Sequence, residues 1–104
     1  ETCMAWFEDL SFVPHRLEMI FDAELAPQYG WLFPESDNRA NIGLCIHRDR
    51  RRQRSIRDWF GSFLDRHFHQ RLAGARQIGP WRGHPISTSV RIEHHAPPGV
   101  LVAG

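Results

Sequence analysis

The chain has 104 residues, of which 41% are hydrophobic, so it can bury one core of ordinary single-domain size. Its 13 basic and 12 acidic residues leave a net charge of +1, which gives no strong field for nucleic acid, and we expect no nucleic-acid partner. No apolar run approaches the roughly 20 residues that cross a bilayer, so we expect no transmembrane segment. All 13 basic residues are arginine, which indicates the codon bias of a GC-rich, bacterial genome.

The first clear periodic segment runs from Leu17 to Leu25. Apolar and mostly charged residues alternate there, and the apolar positions are Leu17, Met19, Phe21, Ala23 and Leu25. Strict alternation is typical of a strand with one buried face. The pattern therefore predicts a half-buried strand that is interrupted at Pro27.

An aromatic segment follows, in which Tyr29, Trp31 and Phe33 occupy alternate positions before Pro34. In an extended chain these three side chains share one face and form a continuous aromatic wall. Such a wall is either ordinary core or the lining of a groove for a flat or oily ligand. Pro34 is expected to end the strand.

The polar segment Glu35–Arg39 has the composition of a turn, and a third strand is predicted from Ala40 to His47. Its residues Ile42, Leu44 and Ile46 lie on one side. The aromatic strand and this strand should form a hairpin.

Five arginines lie between Arg48 and Arg54, in the only charge cluster of the sequence. They could contact a phosphate group, for instance a diphosphate head group or a nucleotide. The alternative is a solvated linker that leads into the next helix.

A long amphipathic helix begins after Ser55, where Ser55 and Asp58 resemble a capping box. Gly74 suits a left-handed stop position. The helical spacing places on one stripe Ile56, Trp59, Phe60, Phe63, Leu64, Phe68 and Leu72. We therefore predict an α+β fold, with an antiparallel β-sheet of about four or five strands and one long amphipathic helix packed on one face.

In the last third, the breakers in Gly79–Pro85 predict a loop, and Ile86 to Ile92 predicts a fourth long strand. No metal site is assigned, because His67 and His69 point in different directions on a helix. Cys3 and Cys45 are expected to be reduced. We assign no catalytic residue.

The order Tyr-x-Trp-x-Phe-Pro, a polar turn and then Ala40–Leu44 resembles a segment of the geranylgeranyl reductase family of FAD-dependent oxidoreductases, which share the p-hydroxybenzoate hydroxylase type of architecture. In that family a similar stretch lies in the substrate-binding part, against a cavity for an isoprenoid chain near the flavin. Ala5–Glu8 looks like the end of the strand that enters this part. Gly99–Gly104 looks like the strand that leaves it.

This resemblance implies that residues 1–104 are a single domain, a fragment similar to the substrate-binding (cap) part of a larger enzyme. Its substrate would be a hydrophobic small molecule, isoprenoid or aromatic. The residues implied to bind it are Tyr29, Trp31, Phe33 and Pro34, with Gly43 allowing close approach.

No Gly-x-Gly-x-x-Gly occurs, so this chain lacks the loop that cradles a dinucleotide pyrophosphate. We therefore expect the FAD-binding domain of the parent chain to hold the FAD. The parent would be the oxidoreductase, and this fragment alone would be inactive and would not bind FAD stably.

The alternative is a free-standing module that binds a hydrophobic ligand or a protein without redox activity. For either function we expect a cytoplasmic location or a peripheral one at a membrane. Exposed sheet edges would allow a dimer.

Overall fold

The computed structural model describes residues 1–86 and 97–100, and within them the chain forms one antiparallel sheet with one α-helix. The strand order is β2-β3-β4-β1-β5. The elements are β1 (Thr2–Glu8), β2 (Glu18–Ile20), β3 (Gly30–Pro34), β4 (Arg39–Cys45), α1 (Ile56–Leu72) and β5 (Arg76–His84). The predicted α+β fold, with an antiparallel sheet of about four or five strands and one long helix packed on one face, is confirmed, and the sheet has five strands.

The predicted hairpin is formed by β3 and β4, with Trp31 opposite Gly43. The turn is closed by backbone hydrogen bonds in which the amides of Glu35 and Ser36 donate to the carbonyl of Arg39, at 2.8 and 3.1 Å. As expected, β3 ends at Pro34. Proline has no amide proton for a further ladder bond, so the strand stops where the sequence predicted.

Helix α1 begins with the predicted capping box. The Ser55 hydroxyl accepts from the Asp58 amide at 3.2 Å, and the Asp58 carboxylate accepts from the Ser55 amide at 3.3 Å. The helix ends at Leu72 with Ala73 as its C-cap in the right-handed region. The prediction that Gly74 takes a left-handed conformation is wrong, since its φ lies outside that region.

The helix packs on one face of the sheet, where alternate residues of the strands form the core. Phe63 of α1 lies directly over Gly30, so closely that a Cβ there would overlap its ring. The buried helix residues are Trp59, Phe60, Phe63, Leu64 and Phe68, and the buried sheet residues beneath include Cys3, Ala5, Phe7, Leu32, Ala40, Ile42 and Leu44. We call the opposite side of the sheet the helix-free face.

The predicted strand from Leu17 to Leu25 is wrong in length and in its buried face. Only Glu18–Ile20 is a strand, and it lies at the sheet edge. Leu17, Met19 and Phe21 are exposed rather than buried. After the strand the chain turns at Asp22, whose carboxylate accepts from the Glu24 amide at 2.8 Å. Only Leu25 of the predicted face is fully buried.

The predicted loop Gly79–Pro85 is largely the edge strand β5, which pairs with β1. A bulge opposite Ala5 accommodates Gly79, with φ +70°, and Pro80. Glycine and proline break a central strand but are tolerated at an irregular edge, which explains the error. Of the predicted strand Ile86–Ile92, Ile86 is exposed outside β5 and the remainder lies outside the described residues. Of Gly99–Gly104, Gly99 lies in a turn and 101–104 are also outside them.

Candidate functional site

Four aromatic side chains form a continuous row on the helix-free face. Phe21, Tyr29, Trp31 and Phe33 follow one another with ring centroids 6.2, 6.3 and 5.8 Å apart. We call these four residues the aromatic row. Trp31 and Phe33 are nearly parallel, with 25° between their planes, whereas Tyr29 meets Trp31 edge-on. The structure thus brings together the three predicted aromatic residues and places them away from α1.

The exposure of the row changes along its length. Phe21 is 78% exposed and Tyr29 is 36% exposed, whereas Trp31 is only 8% exposed. The row therefore presents apolar surface mainly at the β2 edge and at the half-buried Phe33. The sequence does not indicate that Phe21 belongs to this row, because its alternation with Met19 and Leu25 predicts a buried face.

Trp31 is fixed by a hydrogen bond that the sequence pattern did not reveal. Its indole Nε1 donates to Oδ1 of Asn41 at 2.7 Å. The Asn41 amide nitrogen in turn donates to the carbonyl of Ala5 at 3.4 Å. The indole lies across Gly43, where a Cβ would overlap its ring. The sequence predicts that backbone or ligand approaches closely at Gly43, whereas in the structure the Trp31 side chain occupies that space.

A second indole lies on the same face in β1. Trp6 is opposite Asn41, and its Nε1 donates to the carboxylate of Glu35 in the hairpin turn. The guanidinium of Arg82 lies over the Trp6 ring at 5.5 Å. Both indole N–H groups of the helix-free face are therefore used inside the protein.

Pro34 does not join the aromatic row. By strand alternation it falls with Gly30 and Leu32 on the side that faces the helix. It lines a recess of about 110 Å³ together with His15, Leu17, Glu35 and Ser36. Ligand pockets usually enclose about 300 to 1,000 Å³, so this recess is too small for an isoprenoid.

The titratable groups with shifted pKa values lie outside the aromatic row. Burial raises the pKa of the Cys3 thiol to about 11, which leaves it protonated and unreactive at neutral pH. Burial also acts to raise the pKa of Asp22, but hydrogen bonds from His67, the Glu24 amide and Arg66 outweigh it and lower that pKa to about 2. In residues 1–86 and 97–100, no group of three His, Cys, Asp or Glu side chains is arranged to hold a metal ion.

The arginine cluster forms a 3₁₀ turn over Arg48–Arg52 that leads into α1. Arg54, its last member, packs against the protein. Its guanidinium lies 4.0 Å from the Trp59 ring centroid, and it donates to the Ser62 hydroxyl at 3.3 Å. Arg54 thus contacts the helix, and the phosphate contact of the cluster stays a prediction.

The comparison with protein families decides the affiliation. The family model of the geranylgeranyl reductase catalytic domain matches residues 2–78. The chain belongs to the geranylgeranyl reductase family. The match covers β1 to the start of β5, which includes the aromatic row and Asn41.

A curated relative is similar over nearly the same length. It is digeranylgeranylglycerophospholipid reductase 2 of Methanothermobacter thermautotrophicus, 31% identical over 96 residues. The alignment covers 88% of this chain, and the chain spans only 22% of the length of that relative. The relative is archaeal, so a bacterial origin stays a prediction.

Two solved structures share the fold. They are the flavin-dependent brominase Bmp2 and a triple mutant of it, each with a TM-score of 0.62 and 14% or 15% sequence identity. Each match covers 78% of this chain and 22% of the other.

No helix in the described part of this chain is long and apolar enough to span a membrane.

Proposed function

We propose that this chain is the substrate-binding part of a longer FAD-dependent oxidoreductase, and that its helix-free face forms one wall of a cavity for a hydrophobic substrate, isoprenoid or aromatic. The position of the aromatic row carries this proposal. Three of its members alternate along one short stretch of chain, on the side of the sheet that α1 does not cover. A row needed only for the core would lie under the helix.

The exposed part of the row is suited to an apolar ligand. Phe21 and Phe33 offer hydrocarbon surface, and the Trp31 N–H is already bonded to Asn41. Burying such surface against a ligand is worth about 25 cal/mol per Å². The row therefore favours a hydrocarbon chain or a flat ring over a polar group. The curated relative is by name a reductase of a lipid with geranylgeranyl chains, which supports the same class of substrate.

The residues of this chain do not provide a binding site for the pyrophosphate of FAD. The amino terminus of α1 would be a natural place for a pyrophosphate, but the Asp58 carboxylate occupies the cap and would repel an anion. The sequence also lacks a glycine-rich dinucleotide loop. The pyrophosphate would therefore be held by another part of the parent polypeptide, while the exposed rings of the aromatic row are compatible with a neighbouring flavin ring.

These features assign substrate binding to this chain and redox chemistry to the FAD of the parent. FAD, when bound in the parent, would supply redox chemistry on an alkene, as reduction or as a related oxygenation. Tyr29 and Phe33 would bind the substrate and exclude water. The buried Trp31, which contacts both rings, would hold them in place. We assign no proton-transfer role to a residue of this face.

The proposal is tested in the complete polypeptide that contains these residues. Phe33→Ala should raise KM for an isoprenoid substrate by about tenfold, the loss expected when roughly 1.4 kcal/mol of apolar contact is removed. The flavin content, measured from its absorbance, should not change. Val13→Ala is the matched control, because Val13 is an exposed apolar residue outside the row.

An unchanged KM in Phe33→Ala would contradict the proposal, since the face would then not contact the substrate. The same conclusion would follow if Val13→Ala had an equal effect.

A further inference from the structure

The orientation of Trp31 depends on a polar residue that is buried among aromatic side chains of the helix-free face. Asn41 is nearly completely buried and lies on the helix-free face between Phe33 and Trp6, its neighbours on β3 and β1. A buried amide is costly unless its hydrogen bonds are made. The partners of this amide therefore indicate what Asn41 does at this position.

The geometry shows what Asn41 binds. Trp31 lies opposite Gly43, two residues along β4 from Asn41, so its indole must cross Gly43 diagonally for Nε1 to reach Oδ1 at 2.7 Å. The donation from Asn41 Nδ2 to the Ala5 carbonyl holds the amide in the orientation that presents its oxygen to Trp31. The indole is thereby held across the sheet at Gly43, nearly parallel to Phe33.

We propose that Asn41 is a positioning residue: through its bond to the Trp31 indole it fixes the orientation of the aromatic row and keeps the indole N–H away from the ligand. This inference rests on the proposed function for its consequence in binding. Without Asn41 the indole could rotate, its N–H would seek another acceptor, and Phe33 would lose its stacking partner.

The N–H group of the neighbouring indole, Trp6, is also hydrogen-bonded within the protein. Trp6 lies beside Asn41 on β1, on the side away from β3, and its indole N–H donates to the Glu35 carboxylate. A free indole N–H beside an oily ligand would be left without a partner, at the cost of a buried unsatisfied donor. With both donors bonded internally, the face discriminates against ligands that bring their own hydrogen-bonding groups.

The first test follows the indole directly. The chain has four tryptophans, so its side-chain N–H groups give four signals in a ¹⁵N–¹H spectrum, each assigned by a single Trp→Phe variant. In the unsubstituted chain the Trp31 signal should exchange with solvent more slowly than that of Trp81, whose bond to Gln77 is exposed. Asn41→Leu should shift the Trp31 signal and abolish this protection.

Gln77→Leu is the matched control. It removes the acceptor of the Trp81 indole, which contacts Phe60 of the helix rather than the aromatic row. It should move the Trp81 signal and leave the Trp31 signal in place.

The second test measures function in the complete polypeptide. Asn41→Leu should raise KM for an isoprenoid substrate about tenfold, the worth of one hydrogen bond of about 1.4 kcal/mol, with kcat little changed. In a Trp31→Phe background the same substitution should have no further effect, because the indole N–H through which Asn41 acts is already gone. Gln77→Leu should not change KM.

An equal rise in KM with and without the Trp31 indole would overturn the inference, and so would a Trp31 signal that Asn41→Leu does not move. If Asn41→Leu does not fold, the exchange rate in the unsubstituted chain still decides, since a rapidly exchanging Trp31 proton rules out the bond. If the complete polypeptide turns over no apolar substrate, the proposed function fails, while the spectra still show whether Asn41 holds Trp31.

Discussion

At the scale of single residues, the absence of a side chain at Gly43 matters as much as the aromatic rings. Trp31 occupies the space that a Cβ at this position would need, and Met4 closes the same space from β1 at 2.9 Å. Gly43 has an ordinary φ, so its role is steric and not conformational. The indole can lie across the sheet only because β4 has no side chain there.

Gly43→Ala should therefore destabilise the protein. We expect a loss of about 1 to 3 kcal/mol in the free energy of unfolding, as for other overpacked sites, with displacement of Trp31. Urea unfolding followed by circular dichroism measures it. Gly74→Ala is the control, because no atom lies within 4 Å of its added methyl group, and it should be neutral or slightly stabilising. Equal stability of the two variants would show that Trp31 does not lie on Gly43.

At the scale of elements, charged contacts hold α1 to the edge of the sheet. Arg71 of α1 binds Glu18 of β2 with two hydrogen bonds of 2.9 Å and donates to the Ser11 carbonyl at 2.6 Å. One turn earlier, Arg66 and His67 both reach the carboxylate of Asp22, each at 2.8 Å. The bond from Arg71 lowers the pKa of Glu18, as expected for a carboxylate that is charged in the folded state.

The contact at Asp22 predicts a pH dependence of stability. The folded state lowers the pKa of this carboxyl from 3.8 to about 2, so its contribution is complete above pH 4 and is lost as the pH falls through about 2. The Asp22 side chain is only 10% exposed. Asp22→Asn should cost roughly 1 to 2 kcal/mol at pH 7, and the difference from the unsubstituted chain should shrink between about pH 4 and pH 2.

Urea unfolding over this pH range measures the difference. Asp65→Asn, which removes a carboxylate from an exposed position of α1, is the control and should leave the free energy of unfolding at pH 7 nearly unchanged. A constant difference for Asp22→Asn would mean that the carboxylate charge contributes nothing.

The elements also show where sequence reasoning succeeds. The β3–β4 hairpin and α1 were predicted because their signals are local: a proline-ended strand, a polar turn, a capping box and a helical stripe of apolar residues. The alternation around Phe21 shows which residues share a face but not whether anything covers that face, so it does not predict the exposed edge. Gly79 and Pro80 indicate a loop unless a neighbouring strand accommodates a bulge, so the sequence does not predict β5.

In the candidate site too, the sequence predicts the local pattern within one strand but not the contacts between strands. Strand periodicity placed Tyr29, Trp31 and Phe33 on one side. The bond from Trp31 to Asn41 joins two strands with a particular register, and no single-strand pattern contains that information. Asn41 could have been suspected only as a polar residue between Ala40 and Ile42, which are both buried.

At the scale of the whole molecule, the sheet has one side that packs against α1 and a second side, the helix-free face, that α1 does not cover. Phe60 and Phe63 fill the first, and the aromatic row lies on the second. The chain spans 22% of the length of the curated relative, and the proposed cavity would be completed against the second side by other parts of a longer polypeptide.

The chain by itself should not retain FAD. It has no glycine-rich dinucleotide loop, and Asp58 closes the amino terminus of its helix. The purified chain, mixed with FAD and then dialysed, should show no flavin absorbance. The complete polypeptide treated in the same way should stay yellow. Flavin kept by the chain alone would contradict the assignment of the pyrophosphate to another part of the parent.

Strand alternation lets neighbouring positions of β3 change independently. Leu32 supports the helix while Phe33, the next residue, points to the other side, so selection can alter one without disturbing the other. Phe33 is half-buried, so its replacement would alter the exposed surface of the helix-free face and little else, whereas replacement of the buried Trp31 would also leave the Asn41 amide without its bond and cost stability.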